Sequence, residues 1–324
     1  MAHRIMVERA GGPEMLRYEA YEPAEPGPGE ATVRHEAIGL NYIDVYVRTG
    51  LYPSAGAPFP LGMEAAGTVE AVGDGVDYLT PGQRVAYASP PNGAYADRRT
   101  MPADKLVPLP DAIPFETAAA MMLKGMTAQY LLRQTYVVKP GDTVLFHAAA
   151  GGVGLIFGQW AKHLGATTIG TVGSPEKAEL ARAHGYDHVI DYKREDFVAR
   201  VKEITDGAGV PVVYDGVGAT TFLRSLDCLA PCGMGVNFGS ASGPVENFAL
   251  GILSKGSHYV TRPTLMTYTR TRPLLLACAE DLLEVVAQGA VKVEIHQRFP
   301  LAEAAEAHRA LEGRATTGST LLLP

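Results

Sequence analysis

Cysteine is scarce in this chain: the three residues Cys228, Cys232 and Cys278 all lie in the last third of 324 positions. An odd, sparse set excludes a disulfide framework and fits a reducing compartment. Runs of positive charge are missing as well, none being longer than the pairs Arg98-Arg99 and Lys193-Arg194, and the formal net charge is −7. An acidic chain repels phosphate polyanions, so no nucleic-acid partner is expected. Arg4, Glu8 and Arg9 stand where a secretory signal needs an apolar stretch, so the expected location is the cytoplasm. One uncharged window, residues 143–161, spans nineteen positions, but Gly151, Gly152, Gly154 and Gly158 interrupt it, with His147 and Gln159 inside. It approaches the length of a membrane span without the composition of one, and no membrane partner is expected.

What is present is a globular composition, 47% hydrophobic and 19% charged, with 36 glycines and 23 prolines. That Gly and Pro content exceeds the average of roughly 12%, which suits many strands, turns and close backbone contacts. The length predicts two domains at ~150 residues each. From about residue 143 short apolar runs alternate with helical patterns. Strands are expected at 143–146, 167–172, 188–192, 210–214, 234–238 and 258–262, with helices at 153–164, 175–184, 195–205 and 221–229 between them. Helical crossovers make the sheet parallel and doubly wound, with ligands at the carboxyl ends of its strands. The fold class is therefore α/β. Before that alternation, runs at 31–37, 67–72 and 84–87 lie between turns and predict a mostly β domain. After residue 263 a helix at 273–288, a strand at 291–297, an Ala-rich helix from Leu301 and a strand at 319–323 are expected, the last two returning to the first domain.

The segment Phe146-His147-Ala148-Ala149-Ala150-Gly151-Gly152-Val153-Gly154 follows a strand and opens a helix. It has the pattern A-x-G-x-x-G, a dinucleotide-binding fingerprint with Ala149 in place of the first glycine. Gly151 lets the backbone approach a pyrophosphate, Gly154 lets helix and sheet pack closely, and the helix N-terminus supplies amide donors and a partial positive charge. About twenty residues on, an NAD site wants an acid for the ribose 2′-hydroxyl. This chain reads Val172-Gly173-Ser174-Pro175-Glu176-Lys177 there. Ser174, Lys177 and Tyr192 instead suit a 2′-phosphate, so NADPH is the expected cofactor. Ser174 followed by Pro175 also reads as a helix cap, and Glu176 is unfavourable unless it faces solvent.

Further segments carry a resemblance across the whole chain: 11–14 (Gly-Gly-Pro-Glu), Gly39-Leu40-Asn41-Tyr42-Ile43-Asp44, Gly50-Leu51-Tyr52-Pro53, Glu64-Ala65-Ala66-Gly67, Leu123-Lys124-Gly125-Met126-Thr127 and Thr316-Thr317-Gly318-Ser319. With the Gly-rich turn, they resemble the medium-chain dehydrogenase/reductase superfamily and, within it, the zinc-free quinone oxidoreductases of the zeta-crystallin type. The resemblance implies a GroES-like domain at 1–124 completed by 267–324, a Rossmann domain at 125–266, a cleft between them, and a homodimer joined through the Rossmann sheets. The zinc-dependent branch binds its metal through an early Cys and a Gly-His-Glu His; Asn41 and Met63 stand at those places, and no Cys precedes 228. Without a thiolate that zinc site cannot be built, and His147 reads as a packed core residue.

Position by position, the resemblance implies that Asn41, Tyr42, Ile43, Asp44 and Tyr46 reach the nicotinamide end, with Thr127 and Tyr130 nearby. It assigns the pyrophosphate to Gly152 and Val153, and the adenosine phosphate to Gly173, Ser174, Lys177 and Tyr192. Phe238, Gly239, Ser240, Ala241, Thr264, Leu265 and Met266 would flank the nicotinamide and its ribose, and Arg314 would close over the phosphates. Tyr46 and Tyr52 are the candidate catalytic residues, as donors to a developing oxyanion. The implied activity is metal-free reduction of a small quinone by NADPH. The alternatives are reduction of α,β-unsaturated carbonyls at the same site, or cofactor binding without turnover in a structural or RNA-binding protein. The run at 257–262 alternates apolar positions and would be an unpaired sheet edge in a monomer, a second reason to expect a dimer.

Overall fold

A computed structural model describes residues 1–54, 56–313 and 315–324. By backbone proximity the chain divides into two units, the first Met1–Met126, Thr269–Leu283 and Val293–Pro324, the second Thr127–Tyr268 and Glu284–Lys292. In the first unit, β1 (Ala2–Val7) pairs antiparallel with β2 (Leu16–Tyr21). The long strand β3 (Glu30–Leu40) leads into helix α1 (Tyr42–Thr49), which Gly50 stops in a left-handed conformation at φ 82°. Strand β4 (Phe59–Pro60) adds to β1. Then β5 (Glu64–Val72), β6 (Arg84–Ala88), β7 (Arg98–Pro102) and β8 (Val107–Pro108) build a mostly antiparallel sheet on β3. Side chains from both sheets, among them Ile5, Val7, Val33, Ile38, Val85 and Tyr87, form one buried core. Helix α2 (Phe115–Tyr130) follows and runs on into a π-helical turn, Leu131–Thr135.

The second unit is built on six parallel strands: β9 (Thr143–His147), β10 (Thr167–Val172), β11 (His188–Asp191), β12 (Val210–Asp215), β13 (Leu229–Asn237) and β14 (Tyr259–Thr261). Their order is β11-β10-β9-β12-β13-β14, so the direction of winding reverses between β9 and β12. A parallel sheet needs crossovers, and helices α3 (Gly152–His163), α4 (Pro175–Ala183), α5 (Phe197–Ile204) and α6 (Phe222–Ser225) supply them. The doubly wound α/β sheet and the mostly β first unit are as the sequence predicts. Helix α5 starts two residues later than the apolar spacing suggests, because the Asp196 carboxylate accepts the N–H groups of Val198 and Ala199 (2.9 and 3.2 Å).

After β14 come the short α7 (Leu265–Tyr268), the long α8 (Arg272–Ala287), β15 (Ile295–Pro300), α9 (Ala304–Glu312) and β16 (Ser319–Leu323). The strand expected at 291–297 is displaced. Gly289 turns left-handed at φ 73° and the Val291 N–H bonds back to Val285 (3.1 Å), so residue 291 serves the helix end and β15 begins at Ile295. Strands β15 and β16 join the first unit's sheet by pairing of β16 with β3. Three helices, α1, α2 and the short α7, lie where the sequence offered no helical expectation. No helix among the described residues is long and apolar enough to cross a membrane.

Candidate active site

In the second unit the turn between β9 and α3 is fixed by close backbone contacts. Gly151 donates its N–H to the Ala148 carbonyl (2.9 Å) and provides no side-chain cap for α3. A Cβ at Gly154 would lie 2.5 Å from the Ala148 and Ala149 carbonyl oxygens, and one at Gly151 would lie 3.2 Å from Ala148. The turn therefore needs glycine for its own packing, and it leaves the start of α3 uncovered by side chain. Gly152 and Val153 are the first two residues of that helix, where amide N–H groups and the helix dipole favour an anion.

One strand further on, Ser174 caps α4, its hydroxyl accepting the Lys177 N–H (3.4 Å), with Pro175 at the first helical position. A Cβ on Gly173 would meet the Tyr192 hydroxyl at 2.5 Å. Gly173, Ser174 and Lys177 are thus joined at one helix start by Tyr192 from the end of the next strand. A fifth residue, Glu176, stands beside them and is exposed. Hydrogen bonding by its own backbone N–H and by Ser174, with Arg194 nearby, holds its carboxyl below the usual carboxylate range.

The carboxyl ends of the strands are tied by a buried network. Asp215 Oδ1 accepts the Val217 and Gly218 N–H groups (2.7 and 2.9 Å), and Oδ2 accepts the Thr221 and Ser225 hydroxyls (2.7 and 3.3 Å). His147 bridges Thr171 and Ser225, both at 2.8 Å, and burial lowers its pKa while Asp215 opposes that shift. It is a fully partnered core histidine. Asn237 donates to the Asp215 and Gly239 carbonyls (3.3 and 3.1 Å), and Arg262 donates to the Asn237 carbonyl and to Ser240 Oγ (3.0 and 3.3 Å). Phe238 packs on Phe146 (5.5 Å between rings), and Gly239 and Ala241 lie against Gly216, the Ala241 N–H reaching the Gly216 carbonyl at 3.2 Å. Thr264 bonds Thr267 (3.1 Å) beside buried Leu265 and half-buried Met266. Thr127 and Tyr130 are buried, and the Tyr130 ring stacks on Tyr268 at 4.6 Å.

In the first unit, Asn41, Tyr42, Ile43, Asp44 and Tyr46 are brought together by α1. The rings of Tyr42, Tyr46 and Tyr52 form a row with centroid separations of 6.1 and 5.1 Å. Asp44 Oδ2 accepts the Asn41 N–H (2.9 Å) and the Tyr95 hydroxyl (3.0 Å), while Oδ1 is buried with no hydrogen-bond partner among the described residues. Burial pushes the Asp44 carboxyl up to about 7. The Tyr95 oxygen also meets His308 Nε2 (3.1 Å), and His308 Nδ1 meets Arg48 Nη1 (3.0 Å). A guanidinium only donates, so Nδ1 accepts, Nε2 carries the hydrogen, and every bond in the chain Arg48, His308, Tyr95, Asp44 points toward the carboxyl. Burial, helped by Arg48, lowers His308 to about 3.

Sequence reasoning missed Glu64 and Lys124, which support Asn41. Asn41 Nδ2 donates to Glu64 Oε2 (2.7 Å), Glu64 Oε1 accepts the Leu123 N–H (2.7 Å), and Lys124 stands 3.4 Å from Glu64. The one available signal was that both lie in family-like segments. Arg314 falls outside the described residues.

Residues 27–111 match the family described as alcohol dehydrogenase GroES-like domain, and residues 152–281 match the one described as zinc-binding dehydrogenase. A quinone oxidoreductase of Pseudomonas aeruginosa is 59% identical over the full length of both chains. The crystal structure of an Escherichia coli quinone oxidoreductase complexed with NADPH superposes with a TM-score of 0.98, at 51% identity over 99% of this chain and 100% of that one. A 2-haloacrylate reductase of a Burkholderia species is 45% identical over 100% of this chain and 99% of its own. The zinc named by the second family does not fit the residues here. Asn41 and buried Met63 stand where that branch has its metal ligands, and among the described residues no group of three His, Cys, Asp or Glu side chains could hold a metal. A dinucleotide does fit, because the start of α3 carries no side-chain cap on its amides and Gly154 keeps the turn before it bare, a Cβ there meeting carbonyl oxygens at 2.5 Å.

Proposed function

The chain belongs to the medium-chain dehydrogenase/reductase superfamily and, within it, to the quinone oxidoreductases, and on that premise we propose that it reduces small quinones with NADPH and without a metal ion. The observation that carries this reading is the full-length likeness to a quinone oxidoreductase complexed with NADPH. When bound, NADPH supplies a hydride from its nicotinamide ring. Gly152 and Val153 hold the pyrophosphate at the start of α3, and Gly173, Ser174, Lys177 and Tyr192 hold the 2′-phosphate. Phe238, Gly239, Ser240, Ala241, Thr264, Leu265 and Met266 serve the nicotinamide and its ribose, with Thr127 and Tyr130. Asn41, Tyr42, Ile43, Asp44 and Tyr46 serve the nicotinamide end, and Arg314 the phosphates.

A quinone is flat and already electrophilic, and its reduction restores an aromatic ring. It needs no Lewis acid, so the task left to the side chains is positioning in a dry site. Tyr46 and Tyr52 are the proposed donors to the acceptor oxygen. Because positioning carries the rate, Tyr52→Phe lowers kcat only modestly. The decisive experiment is a panel of quinones, enones and simple aldehydes followed by NADPH consumption. Quinones turn over and simple aldehydes do not. Turnover of enones with inert quinones would transfer the assignment to an α,β-unsaturated carbonyl reductase, the reading favoured by the 2-haloacrylate reductase relative. Turnover of neither would leave a cofactor-binding protein with a structural or RNA-binding role.

The proposed partner is a second copy of the chain, and the proposed location the cytoplasm. Strand β14 is the last in its sheet, and Tyr259 on it is 61% exposed. An edge of this kind invites pairing of unsatisfied backbone groups across a two-fold axis. Sedimentation at micromolar concentration gives a dimer, and a monomer alone would remove this assignment.

A further inference from the structure

The turn that follows α2, Leu131–Thr135, is π-helical and is closed by the Tyr136 N–H on the Leu131 carbonyl (3.4 Å). The same carbonyl accepts the hydroxyl of Tyr214 from β12 (3.1 Å), which ties the turn to the parallel sheet. The widened turn changes which side chains share a face. At 3.6 residues per turn, positions five apart lie about 140° from each other around the axis. A turn whose bond spans five residues brings them to one side. Two pairs use this. Gln134 Nε2 donates to Gln129 Oε1 (2.7 Å), and Tyr130 and Thr135 both reach Tyr268. The Tyr130 ring lies almost parallel to that of Tyr268 (4.6 Å, 6°), and Thr135 Oγ1 donates to the Tyr268 hydroxyl oxygen (2.9 Å).

Tyr268 ends α7, a helix of four residues, too short to hold its place by its own hydrogen bonds. Leu265 is buried and Tyr268 lies three positions on, along the same face, so these two side chains decide where the segment sits. Burial of Leu265 is not directional, whereas the Thr135 bond and the Tyr130 stack are. Thr264, Leu265 and Met266 are given above to the nicotinamide and its ribose, as is Tyr130; Thr135 and Tyr268 carry no such assignment. All of these residues belong to the second unit.

Resting on that cofactor reading, we propose that Thr135 and Tyr268 are positioning residues for the nicotinamide half of the dinucleotide: the π-helical turn presents Tyr130 and Thr135 together, they clamp Tyr268, and the clamp fixes residues 264–266. The adenosine half, held at the starts of α3 and α4, does not depend on it. A purely structural role for the same contacts would act through the stability of the whole unit, and both halves of the cofactor would suffer alike.

The test is calorimetric titration of the full chain with NADPH and with adenosine 2′,5′-bisphosphate, which carries the adenosine phosphates and no nicotinamide. Thr135→Val and Tyr268→Phe each delete one hydroxyl of the bond and leave the ring stack, and each is expected to weaken NADPH about fivefold. The double variant binds no more weakly than either single one, since both remove the same bond. Tyr268→Leu loses the stack as well and weakens NADPH about thirtyfold. Thr135→Ser keeps the hydroxyl and binds as the wild type does. Bisphosphate binding is unchanged in every variant. Unchanged NADPH affinity in Thr135→Val and Tyr268→Phe, additive losses in the double variant, or equal loss of both ligands overturns the inference and leaves the cofactor reading standing. A wild type that binds neither ligand overturns the cofactor reading, and the inference with it.

Discussion

Around α1 the buried polar groups meet mainly side chain to side chain, whereas at the carboxyl ends of β9 and β12 a single carboxylate is held by amides and hydroxyls. In the first unit Arg48, fully buried, pairs with Glu312 through two bonds (2.9 and 2.7 Å), reaches the Gly11 carbonyl and donates to His308. Glu64 and Lys124 form a second pair beside Asn41. In the second unit Asp215 takes two backbone N–H groups and two hydroxyls and has no cation in contact with it among these bonds. The difference follows from what each network has to fix. The first ties one helix, α1, to another far along the chain, α9, and only long side chains span such a gap. The second shapes turns that leave adjacent strands, where backbone donors are already at hand. Side-chain latches place candidate residues on α1; backbone geometry places the anion-binding turns.

The largest expected effect breaks the latch. Arg48→Ala removes both bonds to Glu312 and strands His308 Nδ1 without its donor. Breaking a buried pair costs about 3–5 kcal/mol; since Glu312 is one-third exposed, water can serve it, and about 3 kcal/mol is expected. Urea unfolding followed by circular dichroism measures it. A loss below about 1 kcal/mol, the range of surface pairs, would show that the latch does not hold α1.

An effect of similar size is expected from Asp44, through which the first unit responds to pH. Its carboxyl, raised by burial from 3.8 to about 7, faces Tyr95, Glu64 and Lys124. Between those values the unfolded chain ionises and the folded one does not, so the contribution is full below 3.8 and is lost as pH rises to 7. His35 and His308, lowered by burial to about 3, act in the opposite sense: their contribution is full above 6.5 and is lost as pH falls toward 3. The wild-type profile mixes the two, so the variant is the measurement. Asp44→Asn imitates the neutral acid and removes only the carboxyl's slope, about 3 kcal/mol accumulated over that interval. Stability curves of variant and wild type that run parallel from pH 4 to 7 would mean that Asp44 ionises inside the fold.

The same contrast explains what the sequence could show. The strand, Gly-rich turn and helix at 143–163 and the cap at Ser174 depend on neighbours a few residues apart, and local patterning exposes them. The latch does not: Arg48 and Glu312 are 264 positions apart, and Tyr95 and His308 are 213 apart. Helix α1 went unread because its start, Asn41 with Asp44 three residues on, lies in a stretch rich in Tyr, Ile and Val that suits a strand equally well. Asp215 escaped for another reason, since its partners at 217 and 218 are main-chain groups that no side-chain motif marks.

The smallest effect probes backbone geometry in the dinucleotide turn itself. Ala148 adopts φ 62°, in the left-handed region, and its carbonyl accepts the Gly151 N–H that closes the turn. An L-residue there costs about 1–2 kcal/mol that glycine avoids. Glycine also enlarges the freedom of the unfolded chain, which offsets about 0.4–1 kcal/mol of that gain. Ala148→Gly is therefore expected to stabilise by about 0.5 kcal/mol net of these terms, and Ala148→Val, with a branched Cβ, to destabilise by more than it gains. Urea unfolding of the pair against wild type reads the difference. If glycine stabilises and valine destabilises, φ at this position contributes to the turn's energy independently of side-chain latches. Equal stability of all three would mean that the turn adapts to its residue, and the contrast between a side-chain-latched unit and a backbone-shaped one would lose its second half.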